Sequence, residues 1–588
     1  MTRLISSKLG PGAFALSYAL FALISGCSSQ SVQPDHEVIQ PPLAEAAAEP
    51  AAATAVSKTY PLGDDLLYEL LVGEFAAMRG DFETSGEHYL QAAKETEDPR
   101  VAERAVHMAV YAQQYEEALS ATRRWQALGG DDVEITRVRA LIYIRQQNLQ
   151  GALETTDQLL QKDGQVDDRA AVAMSHILQR EASPAFAILL LEQLHQRHPE
   201  SVSLRLLLGR LQANAGQHQE ALDTVKQVLD MEPDNADAYL VRGQVLEVLG
   251  DQQGAVEAFG RAVEYRPEDQ RLRLEYARKL VQARQYDPAW DQYMELHQTL
   301  PLNNNVLLAL ALLSIETGKN QLAMQYLNQL VERGFQQSQA YYYIGRIQQS
   351  EGELDNALES YQQVLSGDMV LDARIREASI LAHQGEVDDA LYELEQLNRS
   401  ARPEDQVRIY LARGELLRNQ RRAQEAMTIY DQALQSWPDN VDLLYARALT
   451  AETLDRLDQT ETDLRRVLEL EPDNANALNA LGYTLADRTD RLQEARQYIQ
   501  RAAELLPDDP AVLDSLGWVH YRLGDLEQAI SWLRKAFEKL EDAEIAAHLG
   551  EVLWQNGQTR EAQKIWQRGL KVEKDHPVLQ DTLQRFNQ

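Results

Sequence analysis

The sequence predicts an all-α protein in which one helical unit of about 34 residues is repeated along most of the chain. Three observations predict it: small residues recur about every 34 positions, a second set of small residues follows the first by about 12, and prolines recur near the end of the unit. Two closely crossing helices admit only Gly, Ala or Ser at their contact, while large apolar residues fill the flanking space. Proline ends the second helix because it cannot continue the hydrogen-bond ladder.

Residues 1–26 have the features of a secretion signal. Arg3 and Lys8 give a short positive start, and residues 13–24 form an apolar run too short to span a bilayer. The sequence Leu-Ile-Ser-Gly-Cys at 23–27 resembles the lipobox of bacterial lipoproteins, which implies cleavage before Cys27 and acylation of Cys27. An ordinary signal with a chance cysteine is the alternative. Because the single cysteine of the chain lies where the motif requires it, we favour the lipobox.

The residues after the cysteine predict where the protein is anchored. Several acyl chains on one residue hold a protein stably on a membrane. In lipoproteins Asp after the cysteine retains the protein in the inner membrane; here Ser28 follows, so the resemblance implies the outer membrane, with the protein facing the periplasm. Residues 28–59 are rich in Ala, Pro, Glu, Gln and Ser without helical or strand periodicity, so we expect residues 27–59 to be a lipidated cysteine and a flexible tether.

The repeats begin at residue 60 and are least regular over residues 60–199. There the first-helix small position is assigned, less cleanly, to Gly73, Val106, Ala140 and Ala173. From 200 to 576 the units are typical, and the first-helix small residues are Gly209, Gly243, Ala277, Ala311, Gly345, Ala378, Gly414, Ala448, Gly482, Gly517 and Gly550. Residues 577–588 are expected to form a capping helix.

A second small residue marks the second helix of each unit. These residues are Ala118, Ala152, Ala185, Ala221, Ala255, Ala289, Ala323, Ala357, Ala390, Ala426, Ala495, Ala529 and Ala562. Thr460 occupies this position in one unit, and the step from Gly482 to Ala495 contains one extra residue. We expect both departures to bend the stack locally.

The clearest unit, residues 236–267, resembles the tetratricopeptide repeat. Gly243 is followed by Ala255, Phe259, Ala262 and Pro267 at the spacing of that repeat. The resemblance implies a solenoid of about fifteen helix pairs, a right-handed superhelix with a long concave groove lined by the first helices. Longer HEAT-type units fit the period poorly.

A stripe of side chains three positions before each first-helix small residue is predicted to face the groove. The stripe comprises Leu206, Leu240, Leu274, Leu308, Tyr342, Ile375, Leu411 and Tyr445. The last three units carry Asn479, Asp514 and Ala547 there. An apolar stripe suits an extended or helical peptide of a client protein. The alternative is that these side chains partly pack between neighbouring first helices.

The C-terminal units are rich in aromatic residues. Trp518, Tyr521 and Trp554 fall on groove-facing positions and are candidate binding anchors, although core packing is the alternative for them. Trp532 and Trp566 fall on second helices, where packing is expected.

The sequence predicts no enzyme and no cofactor beyond lipid on Cys27. It has no HExxH, GxSxG, phosphate-loop or calcium-loop motif. His195 and His198, one turn after Glu192, are weak evidence for a metal site. Asp514 and Ser515 with His520 or His548 suggest a triad only by residue type. The net charge of -34 disfavours nucleic-acid binding, because such a chain repels phosphate.

Three blocks of the C-terminal third carry a closer resemblance. Residues 481–487 (LGYTLAD), 513–518 (LDSLGW) and 546–554 (AAHLGEVLW), together with the lipobox, resemble proteobacterial outer-membrane repeat lipoproteins that partner a periplasmic carboxyl-terminal processing protease. The resemblance implies a non-catalytic adaptor that binds the protease and brings it substrates such as peptidoglycan cross-link hydrolases. A scaffold for exopolysaccharide secretion or outer-membrane protein assembly is the alternative, and an enzyme without a recognisable motif is a third class.

Overall fold

The computed structural model describes residues 63–162 and 165–586. The described residues form 31 α-helices and one pair of two-residue strands. Thirty of the helices follow one another as fifteen pairs, and one final helix ends the described chain. The prediction of an all-α repeat protein of about fifteen helix pairs is therefore confirmed. The predicted signal, Cys27 and the tether lie outside the described residues.

The helices form two compact structural units, each containing several of the 34-residue repeat units, and these divide between Val306 and Leu307. They are called the N-terminal unit and the C-terminal unit. The N-terminal unit contains α1(Asp64–Met78), α2(Phe82–Glu95), α3(Pro99–Tyr111), α4(Tyr115–Ala127), α5(Asp132–Arg145), α6(Leu149–Leu160), α7(Asp168–Glu181), α8(Pro184–Arg197), α9(Val202–Asn214), α10(His218–Met231), α11(Ala236–Val248), α12(Gln252–Tyr265), α13(Gln270–Gln282) and α14(Tyr286–Thr299). Between α6 and α7, β1(Gln161–Lys162) pairs antiparallel with β2(Gln165–Val166).

Helix α15(Asn304–Glu316) contains the boundary between the units. The C-terminal unit continues with α16(Asn320–Glu332), α17(Gln337–Ser350), α18(Leu354–Gln362), α19(Val370–His383), α20(Val387–Ser400), α21(Pro403–Asn419), α22(Ala423–Ser436), α23(Val441–Thr453), α24(Leu457–Leu470), α25(Ala475–Arg488), α26(Leu492–Leu505), α27(Pro510–Arg522), α28(Leu526–Lys539), α29(Ala543–Gln555), α30(Thr559–Val572) and α31(Pro577–Phe586). None of the helices in the described ranges has the length and apolarity that a membrane span requires.

Many units start with an asparagine or aspartate cap, although Ser201, Gln336, Met369 and Arg402 precede the first helices of four others. The side chain of Asn235 accepts a hydrogen bond from the Ala238 amide at 2.9 Å, and Asn474 accepts one from the Ala477 amide at 3.0 Å. Such a cap contributes about 1 kcal/mol to a helix by satisfying an amide that lacks an intrahelical acceptor. The Pro-Asp-Asn sequence at the unit boundary therefore ends one helix and starts the next.

In most pairs the turn between the two helices contains a residue with positive φ; the turns from α7 to α8 and from α25 to α26 do not. Gly250 has φ of 82° and Gly524 has φ of 86°, values that a glycine adopts without a Cβ clash. Arg284 occupies the same turn with φ of 57°, which costs roughly 1–2 kcal/mol in a residue with a side chain. The turn geometry is therefore kept even where glycine is missing.

A glycine of the first helix lies beneath a large side chain of the second helix. A Cβ added to Gly243 would lie 3.0 Å from the Phe259 ring, and one added to Gly345 would lie 2.8 Å from Tyr361. Both rings belong to the fully buried core of the units. The missing Cβ thus permits the close crossing that the sequence pattern predicts.

The hydroxyl of Thr460 is accommodated inside the core. Thr460 is fully buried, and its Oγ1 donates to the carbonyl of Ala448 at 3.3 Å, with the Arg456 carbonyl at 3.2 Å. A buried hydroxyl with carbonyl acceptors avoids most of the desolvation cost of a polar group.

The extra residue between Gly482 and Ala495 lies in the turn from α25 to α26. The Arg522 guanidinium of the following first helix donates to the carbonyls of Ala486 at 2.5 Å and Asp487 at 2.6 Å. These carbonyls end α25 and need donors from outside the helix. Arg522 therefore holds the lengthened turn.

The predicted small positions Ala173 and Ala185 are wrong by two residues. Both alanines are exposed, whereas Ser175 and Ala187 are buried at 7% and 1% exposure. Ser175 and Ala187 are twelve residues apart and precede Gly209 and Ala221 by one 34-residue unit. The strand pair before α7 lengthens the step from Ala140 to the next small residue by one. A constant repeat interval therefore predicts the wrong residues at the helix crossing of this unit.

Candidate partner-binding face

The predicted stripe lies on first helices, and none of its eight members is exposed. Leu206, Leu240, Leu274, Ile375, Leu411 and Tyr445 are half-buried. Leu308 and Tyr342 are each only 1% exposed. The stripe therefore combines residues that keep some accessible apolar surface with two residues that are packed.

The N-terminal unit contains three stripe leucines at equivalent positions. Leu206 on α9 packs partly against the core around Val225, and Leu240 on α11 packs partly against the core around Phe259. Leu274 on α13 is likewise half-buried. Because the three leucines repeat at one-unit intervals, their accessible surfaces form a periodic apolar row, which we name the leucine row.

Tyr342 serves a structural role in the C-terminal unit. Its hydroxyl donates to Asp372 Oδ2 at 2.5 Å, and Arg376 Nε donates to the same oxygen at 2.7 Å. Burial alone raises the pKa of Asp372, but the charge of Arg376 and the Tyr342 hydroxyl outweigh it and leave this pKa below its ordinary value. Tyr342 thus joins two neighbouring first helices.

Two polar groups on the following first helices have no partner among the described residues. The Tyr445 hydroxyl on α23 and the Asn479 Oδ1 on α25 are both inaccessible and make no hydrogen bond. Burial raises the pKa of Tyr445, which keeps its phenol protonated as a donor. A buried polar atom without a partner costs about 1–3 kcal/mol, so these two atoms reduce the stability of the helix stack.

A buried polar cluster, which we name the histidine cluster, joins α25, α27 and α29. His548 Nδ1 lies 2.9 Å from Asp514 Oδ2, and His548 Nε2 lies 3.5 Å from the Tyr483 hydroxyl. The Trp518 ring stacks on the His548 ring at 4.2 Å between centroids. The Tyr483 hydroxyl also donates to Glu544 at 3.3 Å, and burial raises the pKa of Tyr483. Three consecutive units are therefore joined by side chains of their first helices.

The aromatic candidates at the C-terminus pack and hydrogen-bond within the unit. Trp518 is 7% exposed and donates from Nε1 to Asp487 at 3.1 Å. Half-buried Tyr521 donates to Glu551 at 3.1 Å; burial, reinforced by the Glu551 charge, raises the pKa of Tyr521 to about 12. Half-buried Trp554 stacks on the Trp566 ring at 5.6 Å.

The remaining two tryptophans lie on second helices. Trp566 is 2% exposed and fills the space above Gly550, while Trp532 is half-buried with the Lys535 ammonium 4.4 Å from its ring. Both tryptophans therefore pack against neighbouring side chains, as expected for second helices.

The residues considered for catalysis do not form a triad. His548 and Asp514 are paired, but Ser515 Oγ donates to the Ala511 carbonyl of its own helix at 2.9 Å. His520 lies 3.5 Å from Asp525 in the next turn. A hydroxyl that is bonded to its own helix and not to the imidazole lacks the base that activates a nucleophile.

The two histidines near residue 195 have separate partners. His198 Nε2 lies 2.6 Å from Asp157 Oδ1, and His195 Nε2 lies 3.2 Å from the Arg205 guanidinium. Burial, aided by Arg205, lowers the pKa of His195. Among residues 63–162 and 165–586, three or more metal-ligating side chains do not come together at any one place.

The sequence did not predict the histidine cluster, although a signal for it exists. Asp514 lies three residues before Gly517 and His548 two residues before Gly550, so they occupy almost the same level of neighbouring first helices. Tyr483 and Trp518 each follow the small glycine of their unit directly. Stacking of units brings corresponding levels together, and polar residues at such levels could have been paired on that ground.

Comparison with known proteins identifies the repeat. Residues 206–270, 335–405, 376–441 and 411–461 match one tetratricopeptide-repeat family model, and residues 473–542 match another. A TPR repeat-containing protein of Pseudomonas aeruginosa is 34% identical over 549 residues, covering 93% of this chain and 91% of that protein.

Solved repeat proteins are also similar to parts of the chain. A tetratricopeptide repeat protein from Parabacteroides merdae is 17% identical over 42% of this chain and 98% of its own, with a TM-score of 0.35. A thermophilic TPR protein from Thermus thermophilus is 21% identical over 29% of this chain and 93% of its own, with a TM-score of 0.27.

Proposed function

Because the chain belongs to the tetratricopeptide-repeat family, whose members are protein-interaction scaffolds, we propose that it is a non-catalytic adaptor for a periplasmic carboxyl-terminal processing protease. In this proposal the adaptor binds the protease and presents substrates such as peptidoglycan cross-link hydrolases to it. Support comes from the similarity of the C-terminal blocks and the lipobox to adaptor lipoproteins of this kind.

The leucine row is the observation that carries the proposal. Leu206, Leu240 and Leu274 occupy equivalent positions and are half-buried, so each retains apolar surface that the surrounding helices do not cover. A periodic apolar row suits a helical or extended segment of a client, which contacts successive units at regular intervals.

The adaptor would act by raising local concentrations. Acyl chains on Cys27 would hold the protein at the outer membrane, with its repeats in the periplasm. A protease and a client bound to the same chain meet in an intramolecular reaction, whose effective concentration reaches the millimolar range for short flexible connections. The adaptor needs no catalytic residue for this effect.

Co-purification tests the proposed partners. The protein is purified from detergent-solubilised envelopes, and bound proteins are identified by mass spectrometry against a strain that lacks the gene. We expect a periplasmic processing protease together with wall hydrolases. A secretion or barrel-assembly complex without a protease would contradict the adaptor proposal and favour the assembly scaffold.

Substitutions in the leucine row test the binding surface. The Leu240→Glu and Leu274→Glu double variant should reduce client recovery about tenfold or more, because charge replaces two apolar contact residues. Leu308 is unsuitable for this test, since a glutamate at a 1% exposed position would destabilise the core.

Leu302→Glu is the matched control, because Leu302 is 83% exposed and lies outside the first helices. Circular dichroism verifies that all variants remain folded. Full client recovery by the folded double variant would show that the leucine row is not the binding surface.

A further inference from the structure

Helix α1 has an apolar face that the other described residues leave uncovered. Leu67, Tyr68, Leu71, Phe75 and Met78 are 45–76% exposed, although they lie on one helix of 15 residues. The opposite face, with Leu66, Gly73 and Ala76, is buried. Single exposed apolar residues are ordinary, whereas a contiguous row marks an interaction surface.

The spacing of this row specifies a helical occupant. Tyr68, Leu71, Phe75 and Met78 are separated by three, four and three residues. This alternation keeps one seam of a helix facing a partner helix, as in a coiled coil. The occupant of the face is therefore expected to be another helix with a matching seam.

The seam of α1 is complementary to itself. In an antiparallel pair of two copies, Leu71 of one copy meets Phe75 of the other, and Tyr68 meets Met78, because both pairs are symmetric in sequence about Gly73. We propose that α1 pairs antiparallel with α1 of a second copy of this chain.

Charges beside the seam favour the same antiparallel pairing. Exposed Asp65 at the start of α1 falls beside exposed Arg79 at the end of α1 in the second copy, and symmetry repeats the contact. Near the centre of the pair, Glu74 of one copy faces Glu74 of the other. Within each copy, the Arg104 guanidinium lies 3.2 Å from the Glu74 carboxylate, and the Tyr89 hydroxyl donates to that carboxylate. These neighbours reduce the repulsion between the two Glu74 carboxylates.

The size of the face sets the strength of the pairing. A 15-residue helix is about 22 Å long at 1.5 Å per residue. A stable interface buries about 800 Å² on each partner, more than one face of such a helix provides. The dimer is therefore expected to be reversible and concentration-dependent.

Analytical ultracentrifugation of the full chain in detergent tests the pairing. Over about 1–100 µM, a range suited to a small interface, the average mass should rise from monomer towards dimer. Leu71→Glu and Phe75→Glu should each keep the chain monomeric, whereas Leu365→Glu, at a 75% exposed leucine outside the helices, should associate like wild type. Circular dichroism establishes that each variant is folded. A wild-type chain that stays monomeric throughout this range overturns the proposal.

A charge exchange tests the antiparallel register. Asp65→Arg should weaken association several-fold, because two arginines then face each other at both ends of the pair. Adding Arg79→Asp to the same chain restores opposite charges and should restore association. Association that the double variant does not recover would overturn the antiparallel arrangement. Both readouts are independent of protease or client binding, so the proposed function can fail without affecting them.

Discussion

At the residue scale, single missing Cβ atoms set how closely the two helices of a unit approach. A Cβ added to Gly550 would lie 2.0 Å from Trp566 Nε1, and the tryptophan is 2% exposed and cannot move into solvent. A Cβ added to Gly209 would lie 3.0 Å from a methyl group of Val225, which needs a much smaller shift. The same sequence position therefore tolerates substitution to different degrees in different units.

We expect Gly550→Ala to destabilise the C-terminal unit by about 2–3 kcal/mol, because the added methyl overpacks a filled core. Gly209→Ala should cost less than about 1 kcal/mol, since the smaller Val225 side chain can adjust. Thermal unfolding followed by circular dichroism compares the two variants with wild type. Equal melting temperatures for wild type and Gly550→Ala would contradict the tight contact.

At the element scale, the helix pair α7 and α8 shows how one irregular connection changes a periodic pattern. The strand pair between α6 and α7 lengthens the step from Ala140 to the next small residue to 35 positions, and Ser175 and Ala187 then take the two close-contact positions. The regular 34-residue interval resumes at Gly209 and Ala221. The insertion is therefore absorbed within one connection, and the helices that follow keep their phase.

This assignment predicts opposite outcomes for two neighbouring alanines on α8. Ala187→Leu should destabilise the N-terminal unit by about 2 kcal/mol or more, because a large side chain replaces a 1% exposed methyl at a helix crossing. Ala185→Leu should change stability by less than about 0.5 kcal/mol, since Ala185 is exposed. Urea unfolding measures both. A larger loss for Ala185→Leu would show that Ala185, and not Ala187, lies at the helix crossing.

At the scale of the whole molecule, the proposed membrane anchor is a lipid on Cys27, outside the described residues. The described residues contain no helix that could cross a membrane, and the net charge of -34 repels anionic lipid surfaces. In the proposal, acylation of Cys27 attaches the protein to the membrane.

We expect Cys27→Ser to move the protein from the membrane fraction to the soluble fraction. Each buried methylene of an acyl chain contributes about 0.8 kcal/mol, and the substitution removes all of the chains. Ser28→Asp is the matched control: it leaves the acylated cysteine in place, and the lipoprotein sorting rule expects the protein to move to the inner membrane. Fractionation on a density gradient distinguishes protein in the soluble fraction, the inner membrane and the outer membrane. A Cys27→Ser protein that still sediments with membranes would contradict lipid anchoring.

The sequence by itself determined the all-α class, the helix pair as the unit, and the number of units. These properties follow from a constraint that recurs in most units: a small residue at the crossing, and a proline, asparagine or aspartate at the boundary. The constraint is local, so it can be recognised without knowing what surrounds a unit. Where the connection was irregular, at Ala173 and Ala185, the local pattern alone gave the wrong residues.

Only the tertiary structure decided what residues at the same repeat position do. Leu274 remains half-buried while Leu308 is packed, Asp514 pairs with His548 one unit later, and α1 exposes a complete apolar seam. Equivalent positions look alike in sequence, but their burial depends on side chains contributed by neighbouring helices. Burial and pairing are non-local quantities, and the period of a sequence cannot specify them.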